Sequence, residues 1–298
     1  MSMRKQFVQT VTRLLEQDER VCLLLGDIGV FGFRDAFARF PERVYNIGIL
    51  EQAMVGTAAG LALSGLIPIV HTIAPFLVER ALEQIKLDFG YQGLNGVFVT
   101  VGASYDYAAL GCSHHCPGDV QAMTTIPGLD VVVPGSAAEF DRLLSAGYAS
   151  GRPSYFRLSE VEHGQPTEVE PGRATVIRRG TAATVIAVGP MLGPVIEAVA
   201  GADVTVLHCT TVAPFDAEAL RAAAAAAGSG KVLLCEPYYR GGLADAITAA
   251  LWPRPVLLRS VGVPRRFLRE YGKKSEHDRM IGLVPEAIAE ELRMLLDA

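Results

Sequence analysis

Short runs of residues that are apolar at every position, spaced widely enough for a helix between them, constrain this chain more than any other feature. In the first half they are VCLLLGD at 21–27, RVYNIG at 43–48, LIPIVH at 66–71, GVFVTVG at 96–102, LDVVVPG at 129–135 and PSYFRLS at 153–159. A strand exposed on one face alternates apolar and polar residues, whereas a parallel strand covered by helices on both faces reads as a continuous apolar run. The runs therefore predict an α/β fold with a parallel sheet inside helical layers. An amphipathic helix carrying Phe7, Val8, Val11, Leu14 and Leu15 on one face precedes them. A second series follows, with TVIAVGP, DVTVLHC, KVLLCEP and PVLLRSVGV as strands and helices near 191–200, 216–227 and 241–251. The alanine run at 221–227 is a helix closed by Gly228. Between the two series, EVEHGQPTEVEPGR is polar and contains Pro166, Pro171, Gly164 and Gly172. A boundary there predicts two three-layer α/β/α domains, 1–165 and 175–298.

Composition removes other classes. With 50% hydrophobic and 20% charged residues among 298, the chain has ample material for buried cores, which excludes a disordered polymer. A net charge of −5 argues against a general nucleic-acid binder. The five cysteines are an odd number, mostly set in apolar runs, and the first twenty residues contain no apolar stretch of signal-peptide length. A reduced cytoplasmic protein is the expectation. Residues 52–78 lack Asp, Glu, Lys and Arg, but Gly65, Pro68, His71 and Pro75 interrupt them. They read as a buried helix, a turn and a buried strand rather than a membrane span.

Glu51 is the first chemical candidate. It stands at a strand-to-helix junction in NIGILEQAMVG, among Ile47, Ile49, Leu50, Met54 and Val55. Desolvation favours a carboxyl that shares its proton with a ligand. A half-exposed glutamate at a helix start, favoured by the macrodipole, is the alternative. Asp27 ends the first apolar run at the edge where open α/β sheets bind ligands, or else simply forms a turn before Gly29. In GCSHHCPGD, Cys112, His114, His115 and Cys116 offer zinc-type ligands, but no second pair at suitable spacing accompanies them.

GILEQAMVGTAAGLA around Glu51, APFLVERALEQI, GCSHHCPGDVQAMTTIPGLDVVVPGSAAEF, PSYFRLS, EPYYRGGLADAI and GVPRRFLREYG occur in that order along the chain. Together they resemble the transketolase family of thiamine diphosphate enzymes. The likeness runs from the pyrimidine-binding domain through the C-terminal domain, and is greatest to the C-terminal subunit of split, two-chain transketolases. The resemblance implies that Glu51 hydrogen-bonds the pyrimidine nitrogen of the cofactor, that Phe76 stacks on its ring and that Asp27 lines the cofactor cleft. It further implies that His114, with Ser113 in the place of a family threonine, contacts substrate oxygens and moves protons, and that Arg157 binds a substrate phosphate. A core phenylalanine and a structural salt bridge are the plain alternatives for Phe76 and Arg157.

Two departures bear on the substrate. Leu110 stands where the family carries an aspartate that reads a donor hydroxyl, and Gly102 stands where a histidine is expected. Tyr105, Asp106 and Tyr107 are candidates to compensate. The family's Gly-Asp-Gly and following Asn, which hold a divalent metal on the diphosphate, have no counterpart, since Gly26-Asp27-Ile28-Gly29 lacks the third residue. The resemblance thus implies half an enzyme: no metal ligands of its own, and a separate N-terminal subunit that holds magnesium or another divalent cation and the diphosphate, two copies of each chain assembling. The expected activity is transfer of a two-carbon ketol unit between a ketose and an aldose, free or phosphorylated. A deoxyxylulose-phosphate-synthase-like subunit, the β subunit of a 2-oxo acid dehydrogenase and a non-catalytic scaffold are the rival readings.

Overall fold

A computed structural model describes all of residues 1–298 and places them in two sheets with helices on both faces. The first half runs α1 (Met3–Gln17), β1 (Val21–Leu25), α2 (Arg34–Arg39), β2 (Val44–Asn46), α3 (Glu51–Leu63), β3 (Ile67–Ile73) and α4 (Ala74–Gln84). After a π-helical turn at Ile85–Tyr91 come β4 (Gly96–Val101), α5 (Asp119–Met123), β5 (Asp130–Val132), α6 (Ala137–Gly147) and β6 (Pro153–Arg157). The second half comprises β7 (Ala174–Arg178), β8 (Ala183–Val188), α7 (Leu192–Ala198), β9 (Val204–Cys209), β10 (Thr211–Ala213) and α8 (Ala217–Ala227). It ends with β11 (Lys231–Tyr239), α9 (Ala244–Leu251), β12 (Leu257–Val263), α10 (Lys274–Ile281) and α11 (Pro285–Asp297). No helix is long and apolar enough to cross a membrane.

The first sheet has the order β10-β5-β6-β4-β3-β1-β2 and the second β12-β11-β8-β9-β7. The expected runs form the parallel strands, with β2 and β12 at sheet edges, and β1, β3, β4 and β6 are buried at every position. Both sheets are mixed rather than purely parallel. β7 pairs antiparallel with β9 at one edge, and β10, from the second half of the chain, pairs antiparallel with β5 of the first sheet. Neither strand was expected, because β7 lies half in water and lacks an apolar run, while β10 has only three residues.

Residues 52–78 form the expected helix, turn and strand, but the helix is not wholly buried. Glu51, Met54, Val55, Ala58 and Ala59 face the core at helical spacing. Gln52, Ala53, Gly56, Thr57 and Gly60 face outward. The alanine run is α8, capped by the Asp216 carboxylate on the Ala219 amide and closed by Gly228 at φ 63°. For the site, the consequential feature is local order: β4, β3, β1 and β2 are neighbours, and the segments leaving their C-terminal ends carry the loop of His114, Phe76, Asp27 and Glu51 respectively. That edge is where open α/β sheets place ligands.

Candidate functional site

Glu51 is the first residue of α3 and is only 2% exposed. Its Oε2 accepts a hydrogen bond from Arg80 Nη1 at 3.2 Å, while Oε1 is buried with no partner. A buried carboxylate oxygen left unpaired is costly, so an orphan of this kind marks a position where a donor belongs. The apolar surroundings are one-sided. Met54 and Val55 are fully buried beneath Glu51, whereas Ile49 and Leu50 are 66% and 60% exposed.

Phe76 opens the first turn of α4, just after Pro75. The Arg80 guanidinium lies 4.1 Å from the centre of its ring, and the His114 ring meets it edge-on at 5.3 Å. Residues i and i+4 of a helix share a face, so Phe76 and Arg80 are positioned by their spacing. His114 is half-buried, with Nδ1 3.0 Å from Ser113 Oγ. Arg80 thus joins Glu51 to Phe76, and the Phe76 ring in turn meets His114.

Asp27 is exposed and adopts φ +66°, a left-handed conformation uncommon outside glycine. Asn46 holds it there. The Asn46 Oδ1 accepts from the amides of Asp27 at 3.0 Å and Gly48 at 3.1 Å, tying the turn after β1 to the segment that leads into Glu51. Arg80 and Asn46 were missed in the sequence. The four-residue interval from Phe76 could have found Arg80, but nothing local distinguishes Asn46.

Arg157 is elsewhere. It is 1% exposed; its Nε donates to Asp119 Oδ2 at 2.7 Å, and its Nη2 to Ser104 Oγ at 2.6 Å and the Pro237 carbonyl at 3.3 Å. Tyr155 donates to the same Asp119 oxygen at 2.8 Å. Arg157 thus forms a buried ion pair with Asp119, the arrangement of its plain alternative.

The loop after β4 sorts the three candidates to offset Gly102. Tyr105 is buried, donates to Asp278 Oδ1 at 2.6 Å and stacks on His277. Asp106 is buried too; desolvation pushes its carboxyl up to about 6 even though it accepts from the Glu160 amide. Only Tyr107 turns to Gly102, where a Cβ would come within 2.7 Å of its ring, and it lies 6.4 Å from the His114 ring. Leu110 is 53% exposed.

Cys112, His114, His115 and Cys116 do not gather. Cys112 is exposed, whereas Cys116 is fully buried with its thiol toward Glu79, and burial drives that thiol far above its ordinary range. The grouping with metal-like composition is instead Glu139, His163 and His208. There Glu139 Oε1 accepts from His163 at 2.9 Å, His208 at 2.7 Å and Thr167, and Oε2 accepts from the Gly135 amide. Its lone pairs are occupied by protein donors, so the group is a hydrogen-bonded core cluster joining α6, the inter-domain segment and β9.

Comparison with known proteins gives a consistent picture. Residues 1–164 match the family described as "Transketolase, pyrimidine binding domain", and residues 172–288 match "Transketolase, C-terminal domain". An "Uncharacterized 33.6 kDa protein in fasciation locus" of Rhodococcoides fascians is 40% identical over 97% of this chain and 93% of its own length. A subunit of the apulose-4-phosphate transketolase of Phocaeicola vulgatus is 32% identical over 88% of this chain and 87% of its own. Among solved structures, a "Split gene transketolase, inactive beta4 tetramer" superposes with a TM-score of 0.86 at 28% identity, covering 100% of this chain and 98% of that one.

Proposed function

This chain belongs to the transketolase family, and from that premise we propose that it is the pyrimidine-binding subunit of a two-chain, thiamine diphosphate-dependent transketolase. The reaction is transfer of a two-carbon ketol unit from a ketose to an aldose, completed only when a diphosphate-binding subunit joins. The observation that carries this reading is Glu51 Oε1, buried and unpartnered at the start of α3. A carboxyl there fits a flat heterocycle whose ring nitrogen shares a proton with it, with the Phe76 face beside it and Asp27 at the rim.

When bound, thiamine diphosphate supplies the nucleophilic carbon and the electron sink. The protein's own tasks are fewer. Glu51 holds a proton at Oε1 against the pyrimidine nitrogen, and Arg80 keeps the other oxygen in place. Phe76 packs the ring and excludes water. His114, braced by Ser113 and Phe76, exchanges a proton with the substrate oxygens. The diphosphate and its Mg2+ are assigned to the partner, because this chain offers no Gly-Asp-Gly and Asn set of hard oxygen ligands.

A solved relative described as an inactive tetramer of β chains supports partner dependence and self-association, and two copies of each chain is the assembly we propose. Five unbridged cysteines support a reducing compartment such as the cytoplasm. The test is to co-purify the chain with its diphosphate-binding subunit and measure ketol transfer with thiamine diphosphate and magnesium. Glu51→Gln in that complex is expected to lose roughly 10²- to 10⁴-fold in rate, the usual contribution of a positioned acid or base. A fully active Glu51→Gln complex overturns the reading.

A further inference from the structure

Beside the Phe76 and His114 wall lies a pocket of about 240 Å³, formed chiefly by Ser2, Arg4, Gly102, Tyr107, Ser159 and Glu160. Tyr107 joins it to the candidate site, since its ring closes over Gly102 and stands 6.4 Å from His114. Burial raises the Tyr107 hydroxyl above its ordinary range; Arg4 opposes that shift and Glu160 adds to it, so both charges act on the pocket interior. The pocket contains one cation, one carboxylate and three hydroxyls.

Arg157 is held by Asp119 at 2.7 Å and Lys274 by Asp278 at 2.9 Å, so Arg4 is the cation lining this pocket. Volume does not discriminate, because a phosphate group and a short polyol both fit a space of this size. Charge does. A dianion entering here would meet a single guanidinium and an opposing carboxylate, an arrangement that rejects by repulsion. A sugar hydroxyl donates to the Glu160 carboxylate, accepts from Arg4, and exchanges hydrogen bonds with Tyr107 and Ser159 in either direction.

We propose that this pocket receives the uncharged, hydroxylated end of the sugar and selects against a phosphate at that end, with Glu160 as the specificity-determining residue. The inference rests on the ketol-transfer reading above and names its substrate class. Glu160 is exposed, and its backbone amide alone is bonded, to Asp106, so its side chain can be replaced without disturbing the core.

The experiment uses the assembled two-chain complex, loaded with cofactor and magnesium, and compares kcat/KM for D-xylulose with that for its terminal phosphate ester. The wild type is expected to favour the free sugar by about tenfold or more. Glu160→Gln should move the ratio toward the ester by about tenfold and Glu160→Arg by about a hundredfold, mainly through KM, while Glu160→Asp retains the wild-type ratio. Competition by inorganic phosphate should strengthen in the same order. A wild-type preference for the ester, or an unmoved ratio in a folded Glu160→Arg complex, overturns this inference and leaves ketol transfer standing. No transfer from either donor overturns the functional reading and this inference with it.

Discussion

Arg80 donates from Nη1 to Glu51 Oε2 at 3.2 Å, and it is the only side chain that pairs with that buried carboxylate. The arginine is 45% exposed and the glutamate 2%, so the contact joins a solvated cation to a desolvated anion. The same guanidinium lies over the Phe76 ring, so a single side chain orients both the carboxyl and the apolar wall beside it.

Arg80→Met should therefore impair the assembled enzyme more than the fold. Half-exposure weakens the ion pair, and a loss of about 1–2 kcal/mol, or roughly tenfold in kcat/KM, is expected after screening by solvent. Arg80→Lys should recover part of it, because the charge remains but the planar stacking on Phe76 does not. An unchanged kcat/KM in a folded Arg80→Met complex would show that Arg80 does not act through Glu51.

Arg157 separates a structural role from a substrate role. Removing one partner of a fully buried, hydrogen-bonded ion pair leaves the other charge uncompensated, at a cost of about 3–5 kcal/mol. Arg157→Ala should accordingly destabilise the chain alone, with no substrate present, as read by urea unfolding. The double variant Arg157→Met with Asp119→Leu should be markedly more stable than Arg157→Ala, since neither buried charge is then orphaned. Wild-type stability of Arg157→Ala combined with a raised KM for phosphate esters would restore the substrate role.

What the amino-acid sequence disclosed divides along physical lines. Interior strands were visible because burial on both faces leaves an uninterrupted apolar run, and Glu51 stood out as a carboxyl at a strand-to-helix junction. Edge strands β7 and β10 were invisible, since one is half-solvated and the other is held by pairing across domains. The burial of Arg157 was invisible for a related reason. SYFRLS shows an arginine at a strand end, but burial depends on Asp119 and Ser104, which lie 38 and 53 residues away. Long-range partners also explain Glu139, His163 and His208, which no local spacing would have joined.

That last cluster predicts a coupling between the two halves of the chain. Burial alone would raise the Glu139 carboxyl, but hydrogen bonds from His163 and His208 outweigh it and hold the group well below the usual carboxylate range. Its folded value lies below its unfolded one. The resulting stability is thus complete above the ordinary glutamate value of about 4.3 and is lost only as pH falls beneath it. Glu139→Ala leaves two buried histidines without their acceptor and should cost about 3–5 kcal/mol at neutral pH. Because α6 lies in the first half of the chain and β9 in the second sheet, calorimetry should then resolve two transitions where the wild type unfolds in one. A single transition at the wild-type temperature would show that the cluster does not join the halves.

His71 sets the acid limit above that range. It lies in the middle of β3, packed on Phe7 at 4.4 Å between ring centres, with Nδ1 2.8 Å from the Val99 carbonyl and Nε2 buried without a partner. Desolvation pulls its imidazole down to about 4, against the Val99 hydrogen bond, which pulls the other way. The unfolded chain therefore takes up a proton near pH 6.5 that the folded chain refuses until about pH 4. Its contribution is unchanged above about pH 6.5, falls as pH drops through that window, and is flat below it. The total loss is about 3 kcal/mol at roughly 1.4 kcal/mol per pH unit. Urea unfolding of the wild type and His71→Gln at successive pH values isolates the effect, because the other titrating groups are common to both. The difference in stability between the two proteins should narrow by about that amount between pH 6.5 and 4, and a constant difference would mean that His71 binds its proton equally in the folded and unfolded chains.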